Sequence, residues 1–126
     1  MYLIDTDVLI WVLRGNKKFT DLLLQLKNKD SLSISTVTIA EIYKNIYPSE
    51  LLKTENVLNE FQAWDITSPV AKQAGLYFQQ FNKKFKNLNL LDCLIAGTAN
   101  VNNLILVSLN LKHYPMKDID TYNPTA

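Results

Sequence analysis

The apolar positions of the chain switch repeatedly between short runs and a helical rhythm. Tyr2-Leu3-Ile4 is an apolar run that predicts a first strand, ended by Asp5. Thr6 or Asp7 is placed to cap a helix over Val8 to Leu13, which Gly15-Asn16 stops. From Lys17 to Asn28, Phe19, Leu22, Leu23 and Leu26 recur at helical spacing with Lys and Asp on the other side, the mark of a solvated amphipathic helix. Leu32-Ser33-Ile34-Ser35 alternates with period two and predicts a second strand. Ser35 or Thr36 then caps a helix running towards Tyr47, closed by Pro48.

A helical pattern over Glu50 to Ala63 precedes a short third strand at Trp64-Asp65-Ile66. Ser68 as cap and Pro69 at the first helical position start a helix that carries Val70, Ala74, Tyr77, Phe78 and Phe81. The Asn/Lys segment from Asn82 to Asn89 breaks that pattern. Leu90 to Ala99 is an apolar stretch with one carboxylate, Asp92, in its first turn; Leu91, Leu94, Ile95 and Thr98 share a helical face. Small residues there (Ala96, Gly97, Ala99) suit close approach to a sheet. After a turn at Asn102-Asn103, Leu104-Ile105-Leu106-Val107 is a continuous apolar run, as in a parallel strand covered on both faces. Lys112 to Pro115 predicts a polar loop, Asp118 to Tyr122 a last edge strand, and Pro124-Thr125-Ala126 a frayed tail. Strands alternating with helices imply an α/β fold with a mainly parallel central sheet of about four to five strands flanked by helices.

Composition narrows this picture. At 126 residues with 48% hydrophobic and 20% charged positions, the chain reads as one globular domain, 1–126. Its single cysteine, Cys93, excludes an internal disulfide and a Cys-rich zinc site, and its place in the apolar helix suits a buried packing role. No signal peptide and no membrane-length apolar run are visible, so a cytoplasmic location is expected. A net charge of +1 announces no gross affinity for nucleic acid, so any such binding must come from local clustering. Lys83, Lys84 and Lys86 are most simply a solvated loop; interleaved with Phe81 and Phe85, they also suit phosphates.

The acids change the picture most. Asp5 ends the first strand just before a helix, where open α/β sheets place ligand chemistry. Asp5 and Asp7 cannot both be the cap, so one has another job or is simply solvated. Glu41 lies amid Val37, Ala40, Ile42 and Tyr43, which leave little room for a purely polar face. Asp92 is either a first-turn acid favoured by the helix terminus or a group pointing into a site. Ser108 and Asn110 follow the last long apolar strand. If these groups converge on one sheet edge, their mutual repulsion calls for a cation. Oxygen-only ligands select Mg2+, with Mn2+ as a substitute, and the natural reaction is phosphodiester hydrolysis. One His and one Cys cannot supply a zinc hydrolase's ligands.

Four stretches, in order, carry a resemblance: Tyr2-Leu3-Ile4-Asp5-Thr6-Asp7-Val8-Leu9-Ile10, Thr38-Ile39-Ala40-Glu41-Ile42, Leu91-Asp92-Cys93-Leu94-Ile95-Ala96, and Leu106-Val107-Ser108-Leu109-Asn110-Leu111-Lys112-His113-Tyr114. The chain resembles PIN-domain ribonucleases of the VapC type, the toxin half of a toxin–antitoxin pair. That resemblance implies a PIN-like fold and a Mg2+-dependent endoribonuclease with Asp5, Glu41 and Asp92 as catalytic and metal-holding acids. Asn110 stands where many members carry a fourth acid, which implies a milder ligand set. Asp7, where relatives often have Asn or Ser, would partly restore the charge, and Ser108 would hydrogen-bond a ligand carboxylate or a metal-bound water.

The resemblance also implies a VapB-like antitoxin laid along the helices, a homodimer, and RNA phosphates met by Arg14, Lys17, Lys18, Lys112 and His113. Trp11, Tyr43, Tyr47, Leu51 and Leu52 are candidate antitoxin contacts, or core residues. Asn110 motivates an alternative: a catalytically weak PIN-fold module that binds RNA or antitoxin without cleaving. A receiver-like phosphoacceptor fits poorly, because Asp5 and Asp7 are not adjacent and no Lys follows the late strand at Ser108 to Asn110.

Overall fold

In the computed structural model, which describes residues 1–125, five parallel strands form one sheet in the order β3-β2-β1-β4-β5. β1 (Tyr2–Ile4) lies at the centre, between β2 (Leu32–Ser35) and β4 (Ile105–Val107); β3 (Gln62–Trp64) and β5 (Asp120–Tyr122) are the edges. Successive residues point to opposite faces, so Leu3 and Leu106 enter one core layer while Ile4 and Val107 enter the other. The first layer packs against α5 (Ser68–Phe81) and α6 (Leu90–Asn102) through Ala74, Tyr77, Cys93, Ile95 and Ala96. The second packs against α1 (Thr6–Leu13), α2 (Lys17–Lys29), α3 (Thr36–Tyr43) and α4 (Leu51–Leu58) through Val8, Leu9, Phe19, Leu23, Ile42 and Leu58. Among the described residues no helix is long and apolar enough to cross a membrane.

Several boundaries differ from expectation for identifiable reasons. The cap of α1 is neither Thr6 nor Asp7 but Asp5, whose Oδ1 accepts from Thr6 N at 2.8 Å. Gly15 takes φ +79° to end the first helical turn system, and Asn16 then caps α2. Helix α3 stops at Tyr43, short of Tyr47, and a 3-10 turn over Pro48–Glu50 leads into α4. The expected Glu50–Ala63 helix ends at Leu58, because β3 begins at Gln62 and not at Trp64. Thr67, not Ser68, caps α5, and β5 begins at Asp120. The loop after β4 contains a 3-10 turn, Leu111–His113. At the tail, Asn123 Oδ1 accepts from Thr125 N at 2.9 Å, and Ala126, the end of the expected frayed tail, lies outside the described residues.

Helix α6 also departs from its expected face. Leu91 is exposed, and the buried side is Cys93, Ile95, Ala96, Gly97, Thr98 and Ala99. Gly97 serves helix–helix contact and not the sheet: a Cβ there would stand 3.0 Å from the Val70 carbonyl oxygen of α5. This close seating fixes the axial position of α6, and with it the position of Asp92.

Candidate active site

Four chain segments meet at the carboxyl ends of β1, β2 and β4. Parallel pairing in register (Leu3 with Leu106, Ile4 with Val107) brings residues 5 and 108 side by side. The backbone bond from Asp5 N to Val107 O, 2.9 Å, continues that pairing by one residue. Asp5 is buried, 6% exposed, and its Oδ2 accepts from Ser108 Oγ and from the Tyr114 hydroxyl, each at 2.8 Å. Burial, then the neighbouring charge of Asp7, pushes its pKa up to about 6, against the lowering pull of Ser108, Tyr114 and Thr6 N. Tyr114, buried beside Asp5 and Asp92, has its own pKa pushed well up, so it remains a donor.

With Asp5 as the cap, Asp7 has another job and is not simply solvated. Its Oδ2 accepts from Leu109 N at 3.2 Å and from Asn110 Nδ2 at 3.0 Å, with Ser108 Oγ 3.4 Å away. It therefore clamps the turn after β4 to the start of α1. Its Oδ1 is buried without a hydrogen-bond partner, and burial raises its pKa. Asp92, partly buried in the first turn of α6 behind its Asn89 cap, is the third acid of the group. Burial first, and then the Asp5 charge, pushes its pKa up to about 6; Glu41 adds to the rise, and His113 opposes it. His113 Nδ1 stands 3.7 Å from Asp92 Oδ2, an ion pair when the ring is protonated.

Glu41, partly buried on α3, joins through Thr6. The Thr6 hydroxyl donates to Glu41 Oε1 at 2.8 Å and lies 3.0 Å from the Thr38 hydroxyl. Asp5, Asp7, Glu41, Asp92, Ser108 and Asn110 are thus brought together. Lys112 lies in the following turn, exposed. Arg14 shares an open recess with Glu41, its guanidinium 5.4 Å from the Trp11 ring centroid. Lys17 and Lys18 are exposed on the first turn of α2, and no contact ties them to the acids. Tyr114 and Thr38 were not singled out from sequence, and Thr6 only as a helix cap; their signal as site residues is their presence inside the four resembling stretches.

Among the described residues, no three His, Cys, Asp or Glu side chains close around one point as a ready metal cage. The donor chemistry nevertheless fits a hard cation. All donors are oxygens, the charges of Asp5 and Glu41 both oppose ionisation of Asp92, and one buried Asp7 oxygen has no partner.

The sequence pattern of the PIN domain matches residues 2–118. Ribonuclease VapC10 of Mycobacterium tuberculosis is 34% identical over 116 residues, covering 92% of this chain and 87% of that protein. The chain belongs to the VapC-type PIN-domain family. Ribonuclease VapC19 of the same species is 28% identical over 92% of this PIN domain and 94% of its own length. Solved structures show the same fold. VapBC2 from Rickettsia felis, bound to a DNA fragment from its promoter, superposes with a TM-score of 0.85 at 19% identity, covering 97% of both chains. DNA-bound VapBC from Salmonella typhimurium gives 0.83 at 22% identity, covering 98% of this PIN domain and 97% of that chain.

Proposed function

We propose that this PIN domain, acting as a single unit over 1–126, is a Mg2+-dependent endoribonuclease and the toxin of a VapBC-type pair, working in the cytoplasm. The observation that carries the reading is the gathering of Asp5, Glu41 and Asp92 at the carboxyl edge of β1, β2 and β4, in a fold shared with proteins named ribonucleases. Asp5, Glu41 and Asp92 would hold the cation, with Mn2+ as a substitute. When bound, it draws charge from a phosphoryl oxygen and makes water a better nucleophile.

The chain's own groups set up that chemistry. Ser108 and Tyr114 orient Asp5, Thr6 orients Glu41, and Asp7 fixes the turn that carries Asn110. Asp7, which accepts from Asn110 Nδ2 across 3.0 Å, would partly restore the charge of the fourth acid that the resemblance places at position 110. Supporting a VapB-like antitoxin, Trp11, Tyr47, Leu51 and Leu52 are all exposed, which overturns a core role for them, and an open recess of about 260 Å³ runs from Tyr47 and Ile46 to Glu41. An apolar segment docked there would carry a basic side chain to the acids. A homodimer setting two such sites side by side would extend the RNA path towards Arg14 and Lys17.

The test is cleavage of a mixed structured-RNA pool with Mg2+, with Mn2+ and with chelator, beside Asp5→Ala and Asp92→Ala. Metal-dependent cutting lost in both variants is expected. Parent-rate cutting in both variants sinks the site assignment. Asn110 favours one other reading, a weakly catalytic module; folded, antitoxin-free protein that neither cuts RNA nor binds Mg2+ or Mn2+ in millimolar calorimetry would establish it.

A further inference from the structure

Beside the acids, the α5–α6 connection (82–89) and the turn after β4 enclose an open recess of about 440 Å³. Phe85, Lys86, Asn87 and Leu88 line one side, and Lys112 and His113 the other. The recess adjoins the candidate active site, because His113 lines it and also faces Asp92 at 3.7 Å.

Its charge is local and one-signed. Residues 82–89 contain three lysines and no acid, and residues 111–117 contain Lys112, His113 and Lys117 and no acid, in a chain with a net charge of only +1. A volume of this kind suits one small ligand unit and not a macromolecular groove. Phe85 adds an aromatic surface. It is 36% exposed and held edge-on against Phe81, with centroids 6.2 Å apart and rings at 62°. The Lys84 ammonium stands 6.0 Å from its ring centroid, at the outer limit of a cation–π contact. A fixed aromatic ring among ammonium groups is the combination that holds single-stranded nucleic acid, with the base on the ring and the phosphates on the cations. A base inside a duplex has no free face to offer such a ring.

We propose that this recess is a subsite for one unpaired nucleotide of RNA. Its base stacks on Phe85, and its flanking phosphates meet Lys86 and Lys112. The subsite presents an adjoining phosphodiester to Asp5, Glu41 and Asp92, and it rests on the ribonuclease reading above.

The experiment is a fluorescence-anisotropy titration of a labelled ten-nucleotide single-stranded RNA of mixed sequence against full-length protein carrying Asp5→Asn, which separates binding from cleavage. Phe85→Leu keeps apolar bulk against Phe81 but removes the stacking face; it is expected to weaken binding about 5- to 100-fold at unchanged salt dependence. Phe85→Trp is expected to restore it. Lys86→Ala with Lys112→Ala is expected to weaken binding and to make the slope of log K against log salt shallower by about 1.4, roughly 0.7 per phosphate. Lys27→Ala with Lys29→Ala, on the last turn of α2, makes the same charge change away from the recess and is expected to leave the slope alone.

An equal loss in the two lysine pairs, or parent affinity in Phe85→Leu, overturns the subsite. If the Asp5-containing chain still cleaves RNA in the metal series, the subsite alone has failed. A chain that neither binds nor cleaves RNA overturns the proposed function, and the subsite with it.

Discussion

At the centre of the sheet's carboxyl edge, Asp5 and Asp7 sit against strand ends and accept hydrogen bonds from Thr6, Ser108, Leu109, Asn110 and Tyr114. A few residues away, Lys86 and Lys112 stand exposed on a loop and a 3-10 turn. The centre concentrates like charge in a partly dry place, which raises the pKa of Asp5 and of Asp92 to about 6. The rim keeps its charges in water, where they cost little. The contrast teaches that stability and function pull against each other only at the centre. Removing a central charge should stabilise the folded chain while destroying activity; removing a rim charge should affect binding alone.

The largest effect should come from Asp5→Asn. RNA cleavage is expected to fall at least about 100-fold, the usual scale for losing a central electrostatic group. Metal-free protein at pH 7 should at the same time gain on the order of 1–3 kcal/mol, since each pKa unit is worth about 1.4 kcal/mol. Urea unfolding and single-turnover cleavage on the same preparation read both. A variant that loses activity and stability together would contradict the contrast. Lys112→Ala should leave the unfolding midpoint where it was.

Next is the pH dependence of the metal-free parent. Asp5 and Asp92 have folded pKa values raised from 3.8 to about 6. Between these values the folded chain holds protons that the unfolded chain releases. Stability from these groups is therefore full below about pH 4 and is lost as pH rises through about 6. Millimolar Mg2+ should recover the loss at pH 7 and add little at pH 4.5, as read by thermal unfolding; Asp5→Asn should flatten the profile.

Asn110→Asp should act more locally. It replaces the amide that donates to Asp7 at 3.0 Å with a second carboxylate. Metal-free stability at pH 7 should drop by about 1–2 kcal/mol, and calorimetry should show tighter Mg2+ binding than in the parent.

How much of this was legible in the sequence follows the same division. β1 with Asp5, α6 with Asp92 and the apolar run of β4 were readable because central strands are covered on both faces and α6 is an apolar stretch of helical spacing with one carboxylate in its first turn. Edge strand β3 was misplaced because Gln62 and Ala63 are exposed and leave no alternating signature, while Phe61 prolongs the helical rhythm past Leu58. Asp5, Glu41 and Asp92 were found as acids near strand ends. Of the groups that hold two of them, Ser108 was expected on a ligand carboxylate, and Tyr114 and Thr6 were not. Tyr114 reaches Asp5 across 109 positions and Thr6 reaches Glu41 across 35, contacts set by parallel register and helix placement and by no local pattern.

Tyr114→Phe isolates one of those long-range contacts and should have the smallest effect. The hydroxyl donates to Asp5 Oδ2 at 2.8 Å, and burial beside Asp5 and Asp92 keeps it protonated. The ring itself packs in the core layer with Leu106 and Met116, so Phe preserves the packing and removes only the donor. Ser108 still donates to the same oxygen. The carboxylate form of Asp5 then loses one of three hydrogen bonds, worth about 0.5–1.5 kcal/mol, and its pKa rises further. The acid limb of the pH–rate profile should move to higher pH by up to about one unit, with the plateau rate reduced only a few-fold. Ser108→Ala, measured beside it and combined with it, should shift the limb in the same direction, and the double variant should shift it by more than the sum, because the last donor facing that oxygen is then gone. A limb that stays in place in all three would mean that Asp5 is not the group whose ionisation limits the reaction.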